Sequence, residues 1–247
     1  MTTREEFMAR IRAEMGKTRG LFPATPATRP EYPREEAEAI RAQLAERWPE
    51  ALERFRREFE KVGGVFHRVP TLTEVPQVVT GIARAREARR LVSWHPSQLG
   101  ADLGQALAAR GLTPLPMPPG EATNPTERAR LRQLAASAEL GLTGVDLAIA
   151  ETGTLVLRSG AGRPRSTSLL PAYHIAVFDR TALVESLAQV GVFLELWHAD
   201  GATEDRGAVI SFITGPSRTA DIELTLTRGV HGPKEVHVIF VEREIRG

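Results

Sequence analysis

The sequence contains no cysteine, and this absence excludes several kinds of chemistry. Without a thiol, the chain cannot form a disulfide, use a catalytic cysteine or offer a thiolate ligand to a metal. An iron–sulfur cluster held by cysteines of this chain is therefore excluded. The six histidines show no HExxH motif or other metal-ligand spacing, so the sequence predicts no metal site.

Charge of one sign, aromatic side chains and long apolar runs are also scarce. The formal net charge is +1, aromatics make up 6% of the residues and no basic stripe is present, so nucleic-acid binding is not predicted. No apolar run reaches the length of a membrane span. The first residues, MTTREEFMARIRAEM, carry early acids and lack the apolar centre of a secretory signal. We therefore expect a cytoplasmic protein without a membrane span.

The N-terminal part of the chain has a helical pattern followed by a run of prolines. Thr3 and Glu6 fit a capping box for a helix over residues 3–16. Proline fixes its own backbone angle and lacks an amide donor, so residues 18–33 are predicted to form an extended arm. This arm either docks on its own domain or reaches a partner subunit.

Residues 34–62 have a second, strongly charged helical pattern. Pro49 is predicted to divide it into two helices, because proline is well tolerated in the first turn of a helix. The charged helical pattern ends at Gly63 and Gly64, and short apolar segments follow. We predict a helical N-terminal extension over residues 1–62 and an α/β domain over residues 63–247.

Short apolar segments alternate with helical patterns in this second part. The segments that favour strands are VFHRV, RLVSW, LTPLPM, DLAIAE, TLVLRS, HIAVFD, AVISFIT and EVHVIFVE. Helical patterns cover TEVPQVVTGIARAREAR, SQLGADLGQALAARG, residues 125–138, TALVESLAQVGVFLELW and RTADIELTLTRG. Such alternation is typical of an α/β fold with a mostly parallel sheet and helices on both faces.

The first polar loop with the side chains for chemistry is ETGT, between two of these strands. It consists of Glu151, Thr152, Gly153 and Thr154. A carboxylate followed by hydroxyls and a glycine indicates a tight turn or bulge with a polar tip. We predict that Glu151 is catalytic and that the next three residues bind a ligand.

Three arginines follow in the segment that ends with GAGRPRSTS, namely Arg158, Arg163 and Arg165. Guanidinium groups on flexible backbone can cradle a carboxylate or a phosphate, and the same residues could equally form a solvated hairpin loop. The segment matches neither a P-loop nor a Rossmann fingerprint. We predict that Arg163, Arg165 and Ser168 bind the ligand, together with His174 at the start of the next strand.

The second polar loop follows the strand AVISFIT. Gly215 is predicted to turn the chain into a helix over RTADIELTL, which Ser217 or Thr219 could cap. The free amides at such a helix start, reinforced by Arg218, favour an anion. We predict that these four residues bind the ligand.

Two further residues of this segment are predicted to be catalytic. Asp221 falls in the first turn of the predicted helix, so an anion site there needs its carboxylate turned away or paired with Arg218. His231 lies in the Gly-Pro turn that follows, where an imidazole can act as general acid or base. A histidine in such a turn is otherwise an ordinary surface residue.

The segments AIAETGTLVL, SLLPAYHIAVF, ITGPSRTADIE and GVHGP resemble, in this order, the signature segments of the lactate utilization protein C family, also called the LUD domain. The resemblance covers roughly residues 63–242. It implies a fold similar to the superfamily of glucosamine-6-phosphate isomerase, ribose-5-phosphate isomerase and CoA transferases. It also implies a role in oxidising L-lactate to pyruvate with two partner proteins that carry the iron–sulfur clusters, so that this chain holds no cofactor.

Three functional hypotheses follow. The leading one is a non-redox subunit of an L-lactate utilization system that binds a small anion between the loops at residues 151–174 and 215–232. The alternative is a stand-alone enzyme like a CoA transferase or a sugar-phosphate isomerase. CoA transferases of this superfamily use a glutamate nucleophile in a Glu-Asn-Gly turn, which the turn at Glu151 resembles with threonine in place of asparagine. The third is a scaffold without a small ligand. The sequence leaves open whether the chain is an enzyme.

Overall fold

The computed structural model describes residues 3–17, 30–120, 124–199, 209–220 and 226–245. The chain divides into two compact units, Met1–Glu31 and Tyr32–Gly247. The first unit contains helix α1 (Arg4–Lys17). The backbone nitrogen of Thr3 donates to Oε2 of Glu6 at 2.9 Å, and the nitrogen of Glu6 donates to Oγ1 of Thr3 at 3.2 Å. The predicted capping box is therefore confirmed.

The second unit alternates helices with strands. Its helices are α2 (Pro33–Lys61), α3 (Val75–Ala85), α4 (Pro96–Leu99), α5 (Gly104–Ala108), α6 (Pro125–Ser137), α7 (Ser166–Leu169) and α8 (Leu187–Ala199). Its strands are β1 (Val65–Val69), β2 (Arg90–Ser93), β3 (Thr113–Pro116), β4 (Leu140–Gly144), β5 (Leu147–Ile149), β6 (Thr154–Arg158), β7 (Tyr173–Asp179), β8 (Leu183–Val184), β9 (Ile210–Ile213), β10 (Arg218–Ala220), β11 (Leu226–Arg228) and β12 (Glu235–Val241). Within the described ranges, no helix has the length and apolar character needed to span a membrane.

The centre of the fold is a six-stranded sheet with the order β1-β12-β7-β4-β2-β3. Every neighbouring pair in this sheet is parallel. The inner strands β7 and β12 are almost entirely buried, as expected when helices cover both faces.

Helices do cover both faces of this sheet. On one face, Trp48 of α2 stacks against Phe240 of β12, with 5.7 Å between the ring centroids. On the other face, Val78 and Ile82 of α3 line a cavity together with His237 of β12. Phe240 and His237 are three positions apart on one strand and so point to opposite faces. The predicted α/β class, with a mostly parallel sheet between helices, is confirmed.

Helix α2 is continuous, so the prediction that Pro49 divides it was wrong. Apolar residues on both sides of the proline pack into the same core as the sheet, and Phe55 meets Phe178 of β7 edge-on with 5.3 Å between centroids. This packing holds the helix together despite the amide donor that proline lacks. The structure divides between residues 31 and 32, whereas the sequence predicted a boundary after residue 62.

A second, smaller sheet has the order β8-β5-β6-β9. β6 lies antiparallel to both β5 and β9, while β5 and β8 are parallel. Helix α8 covers this sheet, because Val190 and Phe193 belong to the same buried cluster as Ile149 and Val156. The loop after β6 carries the predicted arginine segment.

Arg218–Ala220 and Leu226–Arg228 form strands where the sequence predicted a helix. β10 pairs with β11 in an antiparallel arrangement. The nitrogen of Ser217 donates to the carbonyl of Pro233, and the nitrogen of Gly229 donates to the carbonyl of Ser217. Ser217 directly precedes β10 and Thr219 lies within it, so neither stands at the start of a helix, and Gly229 has a φ of +82°. The sequence LTLT at residues 224–227 alternates apolar and β-branched residues with a period of two, which favours a strand.

Other differences concern short elements. β4 was not predicted, because its sequence LGLTG has few apolar residues. Gly141 is needed in it, since a Cβ there would overlap the carbonyl oxygen of Thr167 in α7. The predicted helix SQLGADLGQALAARG is two short helices that separate at Gly100, whose φ is +80°. Helix α8 starts at Leu187, after the short strand β8, and not at residue 181.

Candidate functional site

Four parallel strands end beside one cavity of about 420 Å³, termed here the carboxyl-end cavity. Its lining includes Trp94 after β2, Asp146 after β4, Asp179 at the end of β7 and Ile245 after β12. Ligands of open parallel sheets bind beyond the carboxyl ends of the strands, where loops supply the polar groups. The fold therefore places its most favourable ligand position here.

Two arginines converge on one carboxylate in this cavity. Nε of Arg158 lies 2.8 Å from Oδ1 of Asp146, and the backbone nitrogen of Arg158 donates to Oδ2 at 2.7 Å. Nη1 of Arg163 lies 3.6 Å from the same Oδ1, and the Arg163 side chain is only 5% exposed. The Arg158 guanidinium also lies 4.3 Å from the ring centroid of Trp197. The Asp146 carboxylate thus contacts both guanidinium groups, and the Trp197 ring packs against that of Arg158.

The lining of the carboxyl-end cavity has a positive balance. Its charged residues are Arg41, Arg158, Arg163, Asp146 and Asp179, which is three cations against two anions. Asp179 is engaged elsewhere, since its carboxylate accepts from the nitrogen of Thr181 at 2.8 Å and from the nitrogen of Ile245 at 2.5 Å. An entering anion would thus meet the guanidinium groups of Arg158 and Arg163, opposed by the carboxylate that they share.

A second cavity of about 570 Å³ lies on the other side of the loop after β6. It is largely apolar, and Arg128, Arg132 and Arg165 are the charged residues in its lining. Ser168 is buried beside it and donates to the carbonyl of Arg165 at 3.0 Å. The predicted ligand-binding residues Arg163 and Arg165 therefore line different cavities.

The ETGT turn and the Gly215 turn meet at the end of α2 instead. Gly153 has a φ of +62°, and a Cβ on it would overlap the backbone nitrogen of Phe59. Thr154 Oγ1 lies 2.7 Å from Oγ1 of both Thr152 and Thr214, so the turns share a chain of hydroxyls. A Cβ on Gly215 would lie 2.9 Å from the carbonyl oxygen of Val62.

Arg218 reaches the same place, because its Nη2 donates to the carbonyl of Val62. Thr154 begins β6 and Arg158 ends it. Four steps along a strand span about 13 Å. This hydroxyl-rich position and the carboxyl-end cavity thus lie at opposite ends of β6. Ser217, through its backbone bond to Pro233, adjoins the turn that contains His231.

Glu151 is exposed, and its Oε2 accepts a hydrogen bond from the backbone nitrogen of Leu187 at 3.1 Å. Leu187 is the first residue of α8, so the carboxylate satisfies a free amide and faces the positive end of the helix. This contact gives Glu151 a structural role. Its predicted role as a nucleophile stays a prediction.

The remaining predicted residues lie apart from these positions. His174 is fully buried in β7, with Nε2 2.9 Å from Oγ1 of Thr143, and its Nδ1 has no hydrogen-bond partner among the residues that the structure describes. Burial lowers the pKa of His174 to about 3, so the ring is neutral near pH 7. His231 is exposed, Thr219 lies in β10, and Asp221 lies outside the described residues.

The structure thus brings Gly153, Thr154, Gly215 and Arg218 together and leaves Arg163, Arg165 and His174 elsewhere. Sequence reasoning missed Asp146 because the strand before it was not recognised. An acid directly after a buried strand is the signal that would have found it. In the part of the chain that the structure describes, no group of three or more His, Asp or Glu side chains is placed to hold a metal ion.

Comparison with known proteins agrees with the sequence motifs. A sequence profile of the LUD domain matches residues 52–241. Lactate utilization protein C of Halalkalibacterium halodurans is 38% identical over 67% of this chain and 68% of that protein. Lactate utilization protein C of an Exiguobacterium species is 31% identical over 98% of this chain and 96% of that protein.

A solved structure, that of a DUF162 family protein from Deinococcus radiodurans, has a similar fold. The TM-score is 0.51 at 20% identity, over 78% of this chain and 98% of that one. At this identity the likeness concerns the fold alone. The profile match and the relatives decide the family: this chain belongs to the LUD domain family.

Proposed function

We propose that this chain acts in L-lactate utilization as a subunit without a redox centre of its own, and that it binds a small carboxylate in the carboxyl-end cavity. The first part is supported by the relatives, which are named lactate utilization protein C. The second part rests on one observation, the convergence of Arg158 and Arg163 on Asp146.

The cavity has both kinds of surface that lactate or pyruvate needs. The two guanidinium groups would hold the ligand's carboxylate, and their burial strengthens the attraction because little water screens it. Leu147 and Phe193 are apolar residues of the same lining and suit a methyl group. Asp146 keeps both arginines in place and can accept a hydrogen bond from a hydroxyl group.

In this proposal, oxidation itself takes place on partner proteins. The chain holds no cysteine, so a cysteine-bound iron–sulfur cluster has to be carried by another chain. The proposed partners are two iron–sulfur proteins, and the proposed task of this chain is to hold the small anion.

Titration calorimetry with L-lactate, pyruvate and inorganic phosphate tests the binding site. Arg163→Gln should weaken binding of the preferred anion by at least about tenfold, since a hydrogen bond to a charged group contributes roughly 1.5–3 kcal/mol. Arg165→Gln is the matched control, because it removes the same charge two residues away in the other cavity. We expect it to leave the affinity unchanged.

Two results would contradict the binding proposal. The first is no heat with any of the three anions at millimolar concentration. The second is an equal loss of affinity in Arg163→Gln and Arg165→Gln, which would point to general electrostatics and not to this cavity. Circular dichroism on each variant separates a loss of binding from a loss of folding.

A further inference from the structure

A third cavity, of about 560 Å³, lies between α3 and the edge of the central sheet formed by β1 and β12. It shares no lining residue with the carboxyl-end cavity. Its lining includes the apolar residues Val69, Val78 and Ile82. It also includes the polar or charged residues His67, Glu74, Gln77, Arg86 and His237. We term it the histidine cavity.

The two histidines belong to a chain of hydrogen bonds. Nε2 of His67 lies 3.2 Å from Nδ1 of His237, and Nε2 of His237 lies 3.0 Å from Oε2 of Glu235. Nε of Arg86 donates to both oxygens of Glu235, at 2.8 Å and 3.0 Å. The imidazole rings stack with 5.5 Å between their centroids. The chain therefore runs from the arginine through one carboxylate and two imidazoles.

This geometry fixes the positions of the protons. The Glu235 carboxylate can only accept, so Nε2 of His237 carries the proton that it donates. Nδ1 of a neutral His237 then has a lone pair and accepts from Nε2–H of His67. Nδ1 of His67 is left with a lone pair. It makes no hydrogen bond with any residue that the structure describes.

One proton can be taken up by this pair without breaking a hydrogen bond. When a proton binds Nδ1 of His67, the proton on its Nε2 passes to Nδ1 of His237. The positive charge then lies on His237, beside Glu235, and His67 presents an N–H donor. The pair acts as a single unit that holds zero or one added proton.

The surroundings keep this unit neutral in the absence of a ligand. Burial lowers the pKa of His67, and the neighbouring His237 adds to this effect. Burial also lowers the pKa of His237, against the opposing effect of Glu235. The charged or titratable groups around the pair are Glu74, Arg86, Glu235 and the neutral, buried His174.

Both carboxylates in this set are already engaged. Oε1 of Glu74 accepts from Oγ1 of Thr71 at 3.1 Å, and Glu235 is held by Arg86. Nη2 of Arg86 makes no hydrogen bond within the described residues. Together with the amide of Gln77 and a protonated His67, the cavity can thus offer several donors near the apolar side chains of Val69, Val78 and Ile82.

We infer that the histidine cavity binds a small organic anion with a short apolar body, and that binding is accompanied by uptake of one proton by the His67–His237 pair. The apolar side chains of the lining contact the body, and the donors of His67, Arg86 and Gln77 bind the anionic group. Affinity then rises as the pH falls toward the pKa of the free pair. It falls by about tenfold per pH unit above that value, since each complex contains one more proton.

Butyrate is a suitable probe, with butyramide as a neutral ligand of the same shape. Calorimetry of the full chain near pH 7, in buffers that differ in ionisation enthalpy, measures the protons taken up. We expect uptake close to one proton with butyrate and no binding of butyramide. Nitrogen NMR of the imidazoles should show His67 gaining a proton on Nδ1 as butyrate is added.

Variants locate the site. His67→Gln should lower butyrate affinity by at least about tenfold and remove the proton uptake. Gln77→Ala should weaken butyrate binding without changing the proton uptake of the His67–His237 pair. It provides the test of the site if His67→Gln does not fold. His198→Gln removes an exposed imidazole on α8 and should change neither quantity.

The inference is independent of the proposed lactate site, and the variants separate the two. Loss of butyrate binding in Arg163→Gln but not in His67→Gln would place the ligand in the carboxyl-end cavity and overturn the inference. Equal affinity for butyramide, or butyrate binding without proton uptake, would overturn it as well. So would the absence of any change in the His67 signals at millimolar butyrate.

Discussion

The buried imidazole of His174 links folding stability to pH. Burial in β7 lowers its pKa from about 6.5 to about 3, while the unfolded chain keeps the ordinary value. Between these values the unfolded state binds the additional proton. The contribution of His174 is therefore complete above about pH 6.5 and is lost as the pH falls, by about 1.4 kcal/mol per pH unit.

The variant His174→Gln should remove this part of the pH dependence. Urea unfolding between about pH 7 and pH 4 should give a free energy that falls less steeply in His174→Gln than in the wild type. His198→Gln is the control, because it removes an exposed imidazole on α8 instead of a buried one. Equal slopes in the wild type and His174→Gln would contradict the assignment of the acid sensitivity to this ring.

At the residue scale, the sequence indicated which side chains could bind an anion, but not which of them lie in the same cavity. It identified Arg163 from a flexible, arginine-rich loop, and this arginine does line the carboxyl-end cavity. Arg165 has the same chemistry but lines another cavity, because the loop passes between the two. A shift of two positions along the loop therefore changes the cavity that a side chain lines. An irregular loop has no periodic pattern from which this could be predicted.

At the scale of elements, the sequence predicted the long helices and the long apolar strands. It missed the short strand β4 and predicted a helix in place of β10 and β11. The apolar stripe of α3 has the helical period, and β7 and β12 are continuous buried runs bounded by turn residues. β4 was missed because its place in the sheet centre depends on Gly141, which lets α7 approach. The paired strands β10 and β11 were predicted as a helix because the polar residues of this segment also fit a capped helix start.

Helix α2 provides the clearest test at this scale. Its buried residues, among them Phe55 and Phe59, belong to the same core cluster as β7 and β12. Deleting residues 1–31 should therefore leave a cooperatively folding unit, whereas deleting residues 1–62 should abolish cooperative unfolding. Loss of one fully buried phenylalanine alone costs about 3–5 kcal/mol, which is a large share of a typical stability of 5–15 kcal/mol.

Thermal unfolding followed by circular dichroism checks both deletions. The matched comparison is the shorter deletion, which removes α1 and residues 18–31 but none of the buried residues of α2. A cooperative transition in the longer deletion would support the sequence-based boundary after residue 62. A loss of folding in the shorter one would show that the unit Tyr32–Gly247 depends on the residues before it.

At the scale of the whole molecule, the proposed role requires other chains, because this one has no cysteine for a cluster. Co-expression with two iron–sulfur lactate-utilization proteins should yield a complex that a tag on this chain retains. L-lactate should then bleach the visible absorbance of the clusters in the complex but not in the two partners alone.

Arg163→Gln distinguishes binding from assembly in that complex. Arg163 is almost completely buried beside Asp146, so its loss should leave the outer surface and the assembly intact. The bleaching should then need at least about tenfold more L-lactate, while Arg165→Gln should need the wild-type concentration. If the two partners bleach equally well without this chain, it is not a functional subunit. If Arg163→Gln bleaches like the wild type, the carboxyl-end cavity does not hold the lactate.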